Sequence, residues 1–161
     1  MSDQDDTGTP MRSAPPAGAA LRPAVKLTHE GAMFVLNAAV AAATNLTVPQ
    51  CIAIVDEGCN LLAFLRMDGS RVLSVESATR KAMTAATTGL PTGNIPPDKA
   101  LALAEATGGR MTNLLGGLPL LVNGQIVGGI GVGSGTGEQD LEIAKAAVAA
   151  FETQIGEGNI T

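Results

Sequence analysis

The sequence has no tryptophan and no tyrosine, and its three phenylalanines leave aromatics at 2% of 161 residues. It also lacks any basic run. Nucleic-acid binding needs a cation track and, for single strands, stacking platforms, and a formal net charge of -5 points away from phosphate backbones. No nucleic-acid partner is expected. No apolar run is long enough for a membrane span, so no membrane partner is expected either. The acidic, polar first residues are unlike a secretory leader, and the expectation is a cytoplasmic protein. With one histidine, His29, the chain cannot assemble a zinc site from imidazoles. The two cysteines, Cys51 and Cys59, are too few for a metal cluster. A reducing cytosol disfavours a disulfide between them. If Glu57-Gly58 centres the turn that separates them, Cys59 faces Asp56 and Cys51 faces Phe64, which leaves the sulfurs unpaired. There is no G-x-S-x-G motif and no second histidine to serve a nucleophile, so a hydrolase reading is weak.

What the chain has instead is small apolar residues and glycine: 45% hydrophobic, with 20 glycines. The most informative stretch runs from Leu118 to Gln139. Asn123-Gly124 lies between two apolar runs and predicts a hairpin, because a type I′ turn needs positive φ at both central residues. The second arm carries Gly128, Gly129 and Gly131. Glycines inside a strand imply close approach of another backbone or of a ligand. Thr136-Gly-Glu-Gln139 then reads as a capping box opening a helix. The glycine loop completes no G-x-G-x-x-G register and has no P-loop lysine, so it is not a nucleotide fingerprint.

The rest of the chain reads in order. Residues 1–25 are poor in large apolar side chains and predict a disordered tail; residues 26–156 form the domain, and 157–161 a C-terminal tail. Thr28 caps a helix reaching about Thr44. Strands follow at Gln50–Asp56 and Leu61–Arg66, apolar on both faces, as in strands covered on both sides by helices or another subunit. Ser74 caps a helix to Thr88 whose small face (Ala78, Ala82, Ala85, Ala86) can lie close on a sheet. Pro97 opens a short helix to Ala106, Thr112–Leu115 is a short strand, the hairpin follows, and a last helix runs to about Ile155. Two hairpins separated by helices indicate an α+β domain with an antiparallel sheet.

Candidate site residues are charged. Arg66 ends a strand, Arg110 follows a Gly-Gly break, and Lys81 lies inside a helix. Arginine offers a planar fork for carboxylates, so these cations suggest a pocket for a small anionic ligand; the alternative is internal pairing with Asp56, Asp68, Glu76 or Glu105. His29, at the start of the first helix, offers an imidazole that can hold haem iron axially. Glu57, Asp68 and Glu138 sit at turns, where they are open to acid–base work or are simply solvated.

Several segments together resemble the GlcG/HbpS family, which includes the C-terminal domain of PduO. They are Ile52-Ala-Ile-Val-Asp56-Glu-Gly58, Leu61-Leu-Ala-Phe-Leu-Arg66-Met-Asp68-Gly69, Ser77-Ala-Thr-Arg-Lys81-Ala, Gly116-Gly-Leu-Pro-Leu, and Gly124-Gln-Ile-Val-Gly-Gly-Ile-Gly-Val followed by Gln139-Asp140. The match spans about Leu27 to Phe151. The resemblance implies a profilin-like five-stranded antiparallel sheet flanked by helices, and a homo-oligomer, often an octamer. It implies haem or a related tetrapyrrole as ligand, with Arg66, Asp68, Lys81 and Arg110 as ligand-binding candidates and His29 as the axial ligand. A second branch that looks similar, the cofactor-free hydroxylaminobenzoate lyases, implies instead an enzyme releasing ammonia from 4-hydroxylaminobenzoate to give 3,4-dihydroxybenzoate. There Arg66 or Arg110 would hold the carboxylate, and Asp68, Glu57 or Glu138 would do the proton transfers.

Overall fold

A computed structural model describes residues 17–157. Residues 1–16 and 158–161, which hold most of both expected tails, lie outside the described residues. The elements are α1 (Ala17–Ala20), α2 (His29–Asn45), β1 (Cys51–Asp56), β2 (Leu61–Arg66), α3 (Ser74–Thr88), α4 (Pro97–Ala106), β3 (Gly117–Val122), β4 (Gln125–Gly133) and α5 (Gly137–Glu157). The strands form one antiparallel sheet in the order β2-β1-β4-β3.

The sheet separates two packed layers. Alternation along β1 sends Ile52 and Ile54 to one face and Cys51, Ala53 and Val55 to the other. On the first face α2 and α5 bury Val35, Leu36, Ala39, Ile143, Ala147 and Phe151 against the sheet. On the second, α3 lays Ala78, Ala82 and Ala86 on the sheet. The glycines of β4 explain how close that approach is. A Cβ on Gly131 would collide with the Ala78 carbonyl oxygen and stand 2.5 Å from the Ala82 nitrogen, and one on Gly129 would stand 3.0 Å from the Ala86 nitrogen. The glycines therefore accommodate the α3 backbone. Helix and strand are matched, alanine against glycine, with no large side chain between them.

Local signals held where side chain and backbone form a closed motif. Thr28 is the N-cap of α2, its hydroxyl accepting from the Gly31 N–H at 3.1 Å. Thr136 and Gln139 close a capping box, Gln139 N–H donating to the Thr136 hydroxyl at 3.2 Å and Thr136 N–H to Gln139 Oε1 at 2.9 Å. Asn123 and Gly124 have φ of 50° and 77°, the left-handed pair of a type I′ hairpin.

Four expectations are corrected. The sheet has four strands, not five: Thr112–Leu115 is irregular. Its backbone donors are taken by side chains, Thr112 N–H by the Thr84 hydroxyl at 2.9 Å and Leu114 N–H by the Thr112 hydroxyl at 3.3 Å, while the Asn113 side chain bonds both N–H and C=O of Ile95. Cys51 pairs with Arg66 rather than Phe64, because the turn is longer than assumed and the ladder shifts between Ile54 and Val55; both cysteines are free. Ser74 is the first residue of α3 rather than a side-chain cap, and the N-cap position, Leu73, makes no side-chain bond. Of the two strands expected to be covered on both sides, β1 is buried and β2, at the sheet edge, is not.

Candidate functional site

The cations expected to share one pocket are dispersed. Lys81 is 3% exposed. Its ammonium donates to Asp140 Oδ2 at 2.7 Å and to the Val132 carbonyl at 2.7 Å. The charge expected to meet a ligand is thus met by the first turn of α5. Lys81 and Asp140 line a polar hollow of about 210 Å³ with Arg71, Ser74, Ser77, Ser134 and Gly135. Arg110 is exposed and lines a separate hollow of about 300 Å³ with Cys59, Met83, Thr87 and Met111. Arg66 and Asp68 are exposed at the end of β2 and in the turn after it. The structure therefore does not bring Arg66, Lys81 and Arg110 around a common space.

The candidate acid–base carboxylates are also apart. Glu57 is ion-paired with Lys26. The Lys26 hydrogen bond holds the Glu57 carboxyl below the usual carboxylate range, and the same bond raises the Lys26 ammonium. Next to it, burial opposes ionisation of Asp56, but hydrogen bonds from the Asn60 backbone and side chain and the Gly58 N–H, with the Lys26 charge, outweigh it and lower the carboxyl. This is a turn-stabilising cluster: Asp56 Oδ1 accepts from Gly58 N–H at 2.9 Å and Asn60 N–H at 2.8 Å. Glu138 is exposed in the first turn of α5. None of the described hollows is lined by two of Glu57, Asp68 and Glu138.

His29 is exposed at the first position of α2. Its neighbours Thr28 and Gly31 line an apolar groove of about 270 Å³, whose other walls include Leu27, Phe34, Val127, Phe151 and Ile155. The Thr28 cap fixes the turn from which the imidazole projects. A larger cleft, of about 540 Å³, lies between α3 and α4 and includes Leu73, Arg80, Leu101, Met111 and Leu114. None of the α4 side chains is buried, so the helix stands as a wall rather than as part of the core. Among the described residues no three His, Cys, Asp or Glu side chains gather as a metal site, and no helix is long and apolar enough to cross a membrane.

Sequence reasoning missed three participants. Lys26 carried no signal, being a lone lysine beside the expected tail. Asp140 stood in a family-like segment but gave no hint that Lys81 was its partner, 59 residues away. Gln50 is wholly buried at the start of β1, and nothing in its neighbours distinguishes it from a solvated strand-end residue.

Comparison with known proteins agrees with this architecture. The family described as "Haem degrading protein HbpS-like" matches residues 27–149. The corrinoid adenosyltransferase PduO of Citrobacter freundii is 34% identical over 137 residues, 82% of this chain but 41% of PduO, so the chain spans less than half of that relative. The crystal structure of a PduOC–haem complex superposes with a TM-score of 0.72 at 33% identity, covering 78% of this chain and 95% of that one. A double mutant of Streptomyces reticuli HbpS superposes with a TM-score of 0.73 at 36% identity, covering 85% and 96%.

Proposed function

The chain belongs to the HbpS-like family, and from that premise we propose that it binds haem or a related anionic tetrapyrrole, with His29 as the iron's protein ligand. The observation that carries this is the apolar groove lined by the capped first turn of α2, the turn that also carries the single imidazole, exposed and outside the groove's own lining. The chemistry of the site fits the group: one nitrogen donor for iron and aliphatic and phenyl walls for a macrocycle edge. The haem complex of the PduOC relative, 33% identical, supports it. A bound haem would supply a redox-active iron.

The chain's own residues position that site. Thr28 holds the turn, Gly31 keeps a side chain off the groove wall, and Phe34 and Phe151 give it an apolar floor. The groove, at about 270 Å³, falls short of the roughly 300–1,000 Å³ of pockets that enclose a drug-sized ligand. The macrocycle therefore enters by one edge, and a second copy of the chain would cover the rest. Self-association, up to the octamer expected from the resemblance, belongs to this reading. Exposed Leu61 and Val72 support it. Propionates would meet Lys26 at the groove by displacing its exposed pairing with Glu57, whereas the Lys81–Asp140 pair is buried and Arg66, Asp68 and Arg110 lie elsewhere. No observation favours the lyase reading, whose carboxylates do not converge.

The test is titration of the purified chain with haemin. A saturable, sharpened Soret band that is lost in His29→Ala is expected. Identical spectra for the two proteins would refute ligation by His29, and no saturable band in either would refute haem binding.

A further inference from the structure

The polar hollow at the start of α5 takes no part in the haem reading. Asp140 lines the hollow and Phe151 lines the His29 groove. At 1.5 Å per residue they are about 16 Å apart along α5, so the two spaces are distinct.

Donors outnumber acceptors in this hollow. Lys81 and Asp140 neutralise each other, and Lys81 keeps a third N–H beyond those given to Asp140 and Val132. Arg71 lines the hollow and has no carboxylate partner among the described residues. The amino end of the 21-residue α5 adds partial positive charge. Ser74, Ser77 and Ser134 add hydroxyls to its wall. Gln50, 0% exposed, lies behind that wall, its Oε1 accepting from the Gly135 N–H at 3.3 Å and its Nε2 buried without a partner outside the hollow.

The hollow continues outward. Ser77 and Leu114 line both it and the larger cleft between α3 and α4. That cleft presents Leu73, Leu101 and Met111, with Leu73 and Leu101 82% and 79% exposed. A polar, net-positive end thus adjoins an apolar trough. We propose that hollow and cleft together bind an apolar monocarboxylate. Its carboxylate meets Lys81 and Arg71, and its hydrocarbon body lies along Leu73, Leu101 and Met111. This site is independent of the haem reading.

The experiment titrates the full chain, ¹⁵N-labelled, with sodium hexanoate at constant ionic strength. Two half-ligands accompany it, sodium acetate and 1-hexanol. Hexanoate should saturate, moving the amides of Ser77, Leu114, Gly135 and Gly137, and each half-ligand should bind about tenfold or more weakly. Leu101→Ser, on the exposed α4 wall of the cleft, should weaken hexanoate about tenfold without lowering the melting temperature. Arg71→Gln, on the surface, should weaken it severalfold. Shifts that sodium chloride reproduces, equal binding of hexanol and hexanoate, or unchanged affinity in both variants would overturn the proposal. His29→Ala should bind hexanoate like wild type, so that failure of the haem reading and failure of this one are read separately.

Discussion

Replacing Lys81 by methionine would measure the most buried charge on the molecule. The stem volume is largely kept, but the ammonium 2.7 Å from Asp140 and 2.7 Å from the Val132 carbonyl is gone. Asp140, 3% exposed, is then a buried carboxylate without its cation. Removing one partner of such a pair costs about 3–5 kcal/mol, about a fifth or more of the roughly 5–15 kcal/mol that holds a domain folded. Asp140→Leu strands the ammonium instead, and also removes the acceptor of the Gly135 N–H at 2.9 Å, so its loss should be similar. The double variant Lys81→Met/Asp140→Leu leaves no buried charge. It should be no less stable than either single variant, a coupling of about 3 kcal/mol. Urea unfolding followed by far-ultraviolet circular dichroism is the suitable assay, because the chain has no tryptophan or tyrosine to report by fluorescence. If the double variant loses the sum of the two singles, or Lys81→Met alone loses under about 1 kcal/mol, the pair is solvated and the reasoning fails.

Two further outcomes follow from the packing and the turn. Gly131→Ala puts a methyl into the α3 backbone, 2.5 Å from the Ala82 nitrogen, where only movement of the whole helix gives relief; the cost should be about 1–3 kcal/mol or more. Gly124→Ala, with open space around it and only its φ of 77° to strain it, should cost about 1 kcal/mol; melting temperatures in the reverse order would contradict close α3–β4 packing. Asp56 has its folded-state carboxyl lowered below 3.8, so its contribution to stability is fully present above that pH and lost as the pH falls through the lower, folded value. Asn60→Ala, which removes the two side-chain donors, should therefore be destabilised relative to wild type at neutral pH, with the gap in urea unfolding free energy shrinking below about pH 4; a gap that widens on acidification would be inconsistent with this sign.

The α+β class, the order of elements from α2 to α5 apart from one extra strand, the Thr28 cap, the Asn123-Gly124 turn and the Thr136–Gln139 box were legible in the sequence, whereas α1 at Ala17–Ala20 fell in the stretch expected to be a disordered tail. Each is set by residues within a few positions of one another, and the chemistry that closes it is local. The missing fifth strand shows where local reading stops. Thr112–Leu115 has strand-like residues, but whether its donors enter a ladder depends on Thr84 and Ile95, brought in by other elements. Register failed similarly: a turn one residue longer than assumed and one shift in the ladder between Ile54 and Val55 together moved Cys51 from Phe64 to Arg66.

The site was less legible because a sequence counts charges without pairing them. Lys81 and Arg71 look equivalent as cations on the page. In the fold, one is sealed against Asp140 and the other lines the hollow with no carboxylate beside it. The glycines divide in the same way. Gly129 and Gly131 admit the α3 backbone, a structural role, whereas Gly135 adjoins a buried amide without a partner. A strand glycine therefore marks close approach, and only the identity of what approaches separates packing from binding. At Gly131 the space is already filled by Ala78. At Gly135 the neighbours are side-chain ends, and beside them Lys81 and Arg71 line an open hollow, which is why that end of the sheet, rather than Arg66 or Arg110, is where a carboxylate ligand would be recognised.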